Sequence, residues 1–253
     1  MGGARIIRCL RDVAPERLPL ALADLHRSLA VGGVLDLTVR TRGGLDMSGS
    51  DDDALHDLLV GAGFEPDEPG PPATGSGAAP GPLVARARRA RTLPDTVGAG
   101  MRLLICGLNP SLYAADAGVG FARPGNRFWP AALAAGLVSV DRDPDHALRH
   151  HGIGMTDLVK RATVAADELT TAEYRSGLAR VERLVRWLRP GTVCFVGLAG
   201  WRAAVDGRAR PGPQPDGLAG VPVYLMPSTS GLNARTSRDE LTAHFRAATA
   251  APR

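Results

Sequence analysis

The sequence is nearly without lysine: Lys160 is the only one, and the rest of its 30 basic residues are arginine. Cysteine is scarce too. Cys9, Cys106 and Cys194 lie far apart, which gives neither a disulfide framework nor a metal-ligand spacing. Cys106 and Cys194 fall in apolar runs, where a thiol is simply buried. No apolar run approaches the length of a membrane span. The first residues, Met-Gly-Gly-Ala-Arg-Ile-Ile-Arg, contain no apolar signal core, and Ile6 stands where an acylation signal has Ser or Thr. A cytoplasmic chain is the expectation. Ser-His-Asp spacing, clustered metal ligands and a phosphate-cradling P-loop are all missing. His150 and His151 sit at a Gly-bounded helix end and read as structural. Neither a metal nor a cofactor is therefore expected.

What is present fits a globular protein: 253 residues, 44% hydrophobic, with a mean hydropathy of -0.04. That length accommodates one large domain and a smaller one. The net charge of +4 is unevenly placed. Residues 101–253 carry 19 Lys and Arg against 13 Asp and Glu, whereas residues 1–100 carry 11 against 13. The basic excess, and with it any anionic partner, belongs to the second half.

Residues 1–68 read as a small α/β appendage. Leu20, Leu22, Leu25 and Leu29 have near-helical spacing and end at Gly32-Gly33. Val34 to Val39 alternates as a strand does. Asp51-Asp52-Asp53 supplies a cap and an acidic first turn for a helix through Leu55, Leu58 and Leu59. Residues 69–97 hold a Pro/Gly/Ser/Ala-rich linker and then a basic run, Arg86, Arg88, Arg89 and Arg91. The run is either a solvated edge strand or a phosphate-contacting arm. From residue 98 to 253 strands and helices alternate, which predicts a layered α/β domain with a parallel central sheet. Leu178, Val181, Leu184, Val185 and Leu188 form its clearest helical core stripe.

Three loops of this domain carry unusual residues. The run Leu103 to Cys106 reads as a strand buried on both faces, ended by Gly107 and Pro110, which leaves Asn109 at its carboxyl end. Ligands of open α/β sheets bind outside those ends. The second loop is Gly120-Phe-Ala-Arg-Pro-Gly-Asn-Arg-Phe-Trp129, and the third is Met226-Pro-Ser-Thr-Ser-Gly-Leu-Asn-Ala-Arg235. An amide, a ring and a tip of small residues suit a planar ligand. The blander alternative for Asn109 is a bond to its own backbone.

On these residues the chain resembles the mismatch-specific uracil-DNA glycosylase and thymine-DNA glycosylase family. Gly107-Leu-Asn-Pro matches its first motif, and Phe121-Ala-Arg-Pro-Gly-Asn-Arg-Phe-Trp129 and Gly154-Met-Thr-Asp-Leu-Val-Lys-Arg-Ala-Thr163 match two further blocks. Met226-Pro-Ser-Thr-Ser-Gly-Leu-Asn-Ala234 matches the last. The resemblance implies a three-layer Rossmann-like glycosylase fold and hydrolysis of the N-glycosidic bond of uracil opposite guanine in double-stranded DNA, in the service of base excision repair. Thymine, ethenocytosine and other damaged bases are further candidates. Asn109 would hold the attacking water. Leu108, Phe121, Asn126 and Ser228 would line the base pocket, with Phe121 stacked on the flipped base and Asn126 and Arg127 bracing the loop. Gly231, Leu232 and Asn233 would wedge into the duplex and meet the orphaned guanine. Arg235 joins Arg86, Arg88, Arg89 and Arg91 as a candidate phosphate contact. A monomeric, nucleoid-associated enzyme is implied. Met226, Thr229 and Ser230 depart from the bacterial form of the last motif toward the thymine-glycosylase form, which leaves the base range open. A rival reading is a lesion-binding protein with little turnover.

More faintly, Leu25 to Leu35 and Leu58 to Phe64 resemble the carboxyl-terminal half of a class I S-adenosylmethionine methyltransferase. The Gly-rich cofactor loop of that family has no counterpart here, so the resemblance implies a structural remnant. The corresponding rival, a nucleotide- or methyl-transferring enzyme centred on residues 1–68, lacks its binding loop.

Overall fold

The computed structural model describes residues 4–40, 45, 50–67 and 82–250. The part of the expected linker from 68 to 81 lies outside the described residues. The N-terminal unit contains β1 (Arg5–Arg11), α1 (Leu18–Ser28), β2 (Val34–Arg40), α2 (Asp51–Gly61), β3 (Phe64–Pro66) and β4 (Leu83–Arg89). These strands form one sheet in the order β1-β2-β4-β3. β1 and β2 run parallel, and β4 is antiparallel to both β2 and β3. Alternation decides which side is covered. Leu35, Leu37 and Val39 of β2 and Ala87 of β4 are buried against Leu18, Leu22, Leu55 and Leu59 of the two helices. The cap of α2 is Ser50, whose hydroxyl accepts from the Asp53 amide at 3.1 Å. Asp51 to Asp53 form the first turn, so the acidic turn was read correctly and the cap was one residue late.

β4 corrects a second expectation. The basic run is not an edge strand, because hydrogen bonds flank it on both sides. The four-stranded sheet therefore continues to Arg89, well past residue 68.

The second unit contains β5 (Leu103–Gly107), α3 (Leu112–Ala117), α4 (Phe128–Ala134), α5 (Pro144–His151), β6 (Ile153–Asp157), α6 (Thr171–Leu188), β7 (Val193–Val196), α7 (Ala199–Ala204), β8 (Gly212–Pro213), β9 (Val223–Met226) and α8 (Arg238–Ala250). Its sheet has the order β6-β5-β7-β9-β8. The first four strands are parallel, and the short edge strand β8 is antiparallel. Successive residues of each strand enter opposite cores. Leu104, Cys106, Val193 and Phe195 pack with Val181, Leu184 and Val185 of α6 and Trp201 of α7. Leu103, Ile105, Cys194 and Val196 pack with Phe128 and Trp129 of α4 and Phe245 of α8. The result is the expected three-layer α/β arrangement, helices on both faces of a mostly parallel sheet. Among the described residues, no helix is long and apolar enough to cross a membrane.

Candidate active site

The carboxyl ends of β5, β6, β7 and β9 open into a cavity of about 260 Å³, near the lower end for a small-molecule site. Leu108, Asn109, Phe121, Asn126, Asp157 and Ser228 are among its lining residues. The structure thus brings together all five residues named above for the water and the base.

Asn109 is held by geometry that leaves little choice. Its Nδ2 donates to the Arg161 carbonyl at 2.9 Å, to Thr163 Oγ1 at 2.8 Å and to the Pro110 carbonyl at 3.2 Å. Carbonyl oxygens only accept, so the amide nitrogen must face them and Oδ1 must face the other way. No described residue donates to that oxygen. Asn109 does bond its neighbour's backbone, as the blander alternative had it, but the bond uses the nitrogen and leaves the acceptor uncommitted. The loop that receives Nδ2 is itself tied down. Arg161 grips Glu173 through two bonds of 2.6 and 3.2 Å. Glu173 also closes the capping box at Thr170 that starts α6. Arg161 and the Thr170 bonds hold the Glu173 carboxyl at about 2.

Phe121 has a positive φ of 59°, a costly conformation for a bulky residue and one that clusters at functional sites. One face of its ring lies on Phe128, 4.0 Å between centroids and within 6° of parallel. Phe128 is fully buried. The half-buried Phe121 ring is therefore backed by the core on one face and lines the cavity. Trp129 fixes the same loop by donating to the Gly120 carbonyl at 2.8 Å. Behind Phe121 lies a second cavity of about 230 Å³ that shares Leu93, Gly120, Phe121 and Asp157 as its wall.

Asp157 was not singled out in the sequence. It ends β6, half-buried, and no described residue donates to its carboxylate. Burial pushes its pKa up to about 6, and the nearby Lys160 tempers the rise. Gly107 makes room for it: a Cβ there would lie 2.4 Å from Asp157 Oδ1 and 3.3 Å from the Phe121 ring. Its signal was positional. Asp157 stands at the carboxyl end of a parallel strand, where ligands bind. Thr163 was missed for a simpler reason, since nothing local says that it will receive Asn109 from 54 residues away.

The third loop projects beside the cavity. Leu232 is 87% exposed at its tip. Arg127 holds the loop through the carbonyls of Ser230 at 3.0 Å, Asn233 at 2.6 Å and Thr236. Asn126 Oδ1 instead accepts from the Phe128 amide at 2.9 Å, at the start of α4. A Cβ on Gly231 would lie 2.9 Å from the Gly125 carbonyl, so the second and third loops touch where neither has a side chain. The Asn233 amide bonds the Ser230 carbonyl and its own carbonyl receives Arg127, so both of its backbone groups are spent within the loop. Gly231, next to them, makes no backbone hydrogen bond among the described residues.

The basic run does not act as a unit. Arg86 is exposed and lies 3.7 Å from both Asp36 and Asp67. Arg88 donates to the Gly32 carbonyl at 3.1 Å. Arg89 turns inward to the Leu29 carbonyl and His26, and Arg91 makes a two-pronged pair with Asp116. Arg123, which lines the cavity, and Arg235, at the base of the projecting loop, are exposed and have no side-chain partner among the described residues.

A mostly parallel sheet with an inward amide oxygen, a backed aromatic platform and a ring-sized cavity at its strand ends defines an α/β protein built to hold one planar group beside a positioned polar atom. The uracil DNA glycosylase superfamily model matches residues 94–251, and the chain belongs to that superfamily. Its members bind DNA and are typically N-glycosylase hydrolases that remove uracil or damaged bases.

Proposed function

We propose that this protein is a monofunctional, mismatch-specific DNA glycosylase that hydrolyses the N-glycosidic bond of uracil opposite guanine in double-stranded DNA. Thymine, ethenocytosine and other damaged bases opposite guanine are candidate substrates of the same pocket. The observation that carries the reading is Asn109: its nitrogen is bound on one side and its acceptor oxygen is uncommitted on the other.

In this reading the target base leaves the stack, at a cost of a few kcal/mol that a mispair reduces. It lies on Phe121, and Leu232 fills the gap in the duplex. Asn109 Oδ1 accepts a hydrogen bond from water and aims it at C1′. The water oxygen bonds to C1′, the C1′–N bond breaks, and the base leaves with the electron pair as an anion. An amide is a poor base, so Asn109 orients the water without deprotonating it. Asp157, ionised at neutral pH with its pKa near 6, is the group in the cavity able to take up the proton.

The test is single-turnover base release on a G·U duplex. Asn109→Ala should lower release by about two to three orders of magnitude while duplex binding is kept. Near-normal release by that variant would remove Asn109 from its role. If the wild-type protein binds the duplex and leaves its backbone resistant to alkali, the protein is a lesion binder instead. A panel of G·T, ethenocytosine and deaminated-purine duplexes defines the base range.

A further inference from the structure

We propose that the N-terminal unit is a brace for the pocket, and that Asp95 is the positioning residue through which it acts. The proposal rests on the glycosylase reading above for its consequence in catalysis, and on contacts alone for its mechanics.

Asp95 lies between the two units, and its side chain is only 5% exposed. Toward the N-terminal unit, its amide donates to the Gly61 carbonyl at 2.8 Å, at the end of α2. A Cβ on Gly61 would come within 2.6 Å of Asp95 Oδ2 and 3.0 Å of Arg180 Nη1, so the helix and the ion cluster meet with no side chain between them. Toward the pocket, Asp95 Oδ1 accepts from Thr156 Oγ1 at 2.7 Å and Lys160 Nζ at 2.8 Å, and Oδ2 accepts from Arg180 Nη1 at 2.8 Å. Arg180 Nη2 then donates to the Asp157 carbonyl at 2.7 Å. Burial alone would raise the Asp95 carboxyl, but the charges and bonds of Arg180 and Lys160 more than offset it and leave it below its ordinary value.

The short segment around Asp95 grips the pocket loop at both ends. Thr96 exchanges backbone hydrogen bonds with Met155 at 2.8 and 2.9 Å. Thr92 Oγ1 donates to the Lys160 carbonyl. The next residue, Arg161, supplies the carbonyl that receives Asn109. The strand end that carries Asp157 and the loop after it that anchors Asn109 are thus clamped from the N-terminal side at residues 155, 156 and 160. A second clamp lies farther off: Arg183 of α6 pairs with Asp57 of α2 through bonds of 2.5 and 2.9 Å. Without the N-terminal unit the Asp95 cluster would lose its cover, and water reaching it would screen the ion pairs of Asp95 with Lys160 and Arg180 and loosen their hold.

The experiment uses the full chain and three variants. Arg183→Asp places a carboxylate against Asp57, remote from the cavity. Asp57→Arg combined with Arg183→Asp restores an opposite-charge pair in reverse. Asp95→Asn keeps the size of the hub and removes its charge. Hydrogen exchange of residues 158–163, whose amides at Leu158, Val159 and Thr163 bond to the Gly107, Leu108 and Pro110 carbonyls, reads the brace without any reference to activity. It should quicken by about tenfold in Arg183→Asp and return toward normal in the double variant. Base release on G·U should fall by about tenfold in Arg183→Asp, as a small misplacement of a catalytic loop entails, with duplex affinity kept and with rescue in the double variant. In Asp95→Asn the pH at which release is half-maximal should move down, because Lys160 and Arg180 then face Asp157 without a counter-charge. A merely structural loss would lower the rate and leave that midpoint in place. Unchanged exchange in Arg183→Asp at normal melting temperature overturns the brace, whatever the activity. Quickened exchange in a protein whose wild type releases no base supports the brace and instead overturns the glycosylase reading.

Discussion

At the scale of single residues, the site depends on groups whose polar atoms are committed on one side only. Asn109 is one and Asp157 another, and Asp157 gives a test that separates function from fold. Its pKa is raised from about 3.8 to about 6, so between those values the unfolded chain loses its proton first and stability falls as pH rises. Above pH 6 the folded protein carries a charge it would be more stable without. Asp157→Asn should therefore melt higher than wild type above pH 7, by a difference equivalent to roughly 1–3 kcal/mol, and the difference should vanish near pH 4. Wild-type base release should rise through pH 6, and the same variant should lack that rise. Thermal melts across pH and single-turnover rates check the two halves separately. A variant equally stable at every pH would mean that Asp157 is not a buried charge at all.

His26 has the opposite sign. Burial, with help from the charge of Arg89, pushes its pKa down to about 4. Between pH 6.5 and 4 the unfolded chain binds the extra proton, so His26 removes up to roughly 3 kcal/mol of stability as pH falls through that window. The Asp157 and His26 windows overlap between pH 4 and 6 and oppose each other there. Wild-type protein should accordingly show a shallow acid profile, and Asp157→Asn a steeper one.

At the scale of elements, the loops do more than the helices to define the site. The projecting loop is held at its base by Arg127 and leaves Leu232 exposed at its tip. Leu232→Ala should lower base release, and most on uracil paired with adenine, where the base costs more to unstack than in G·U. Equal losses on the two duplexes would deny it a wedging role. Helix α6 offers a stability test with a local readout. Thr170→Ala removes the cap hydroxyl and should cost about 1 kcal/mol, measured by denaturant unfolding.

The elements themselves were largely legible where local chemistry sets them. The Leu178-to-Leu188 stripe gave the core face and the carboxyl end of α6, and the apolar run before Gly107 gave β5. β1 escaped because its outward residues, Arg5, Ile7, Cys9 and Arg11, are exposed, and few of its side chains enter the core. β6 escaped because Gly154 and Thr156 break the apolar run that marks a buried strand. For β4 the sequence leaves an edge strand and a phosphate-contacting arm open, and the structure has a strand in the interior of the sheet. Arg86 and Arg88 look like edge residues but simply occupy the uncovered face of an interior strand. Cys106 and Cys194 are free and buried, as their apolar settings implied, and burial raises both thiols, Cys194 to about 12.

At the scale of the whole molecule, charge placement decides where nucleic acid should lie. Arg86, Arg88, Arg89 and Arg91 are paired with carboxylates or carbonyls, whereas Arg123 and Arg235 flank the cavity and its projecting loop. Each phosphate neutralised should steepen the fall of log affinity with log salt by about 0.9. Changing Arg123 and Arg235 to Gln should flatten the slope by about 1–2, and changing Arg86 and Arg88 to Gln should leave it unaltered. Neither change should alter the preference for G·U over a matched pair, because phosphate contacts carry little sequence information. A salt titration of each double variant on one duplex distinguishes the faces.

The interior position of β4 has a temporal consequence. The N-terminal sheet is complete only when residues 83–89 have joined β2 to β3, and those are the last residues before the segment that carries Thr92 and Asp95. Domains generally fold as units during synthesis, N-terminal ones first. The surface that receives Asp95 is therefore finished while the strands of the second unit are still being made, and the contact that Asp95 makes with Gly61 has its partner waiting when the second unit folds.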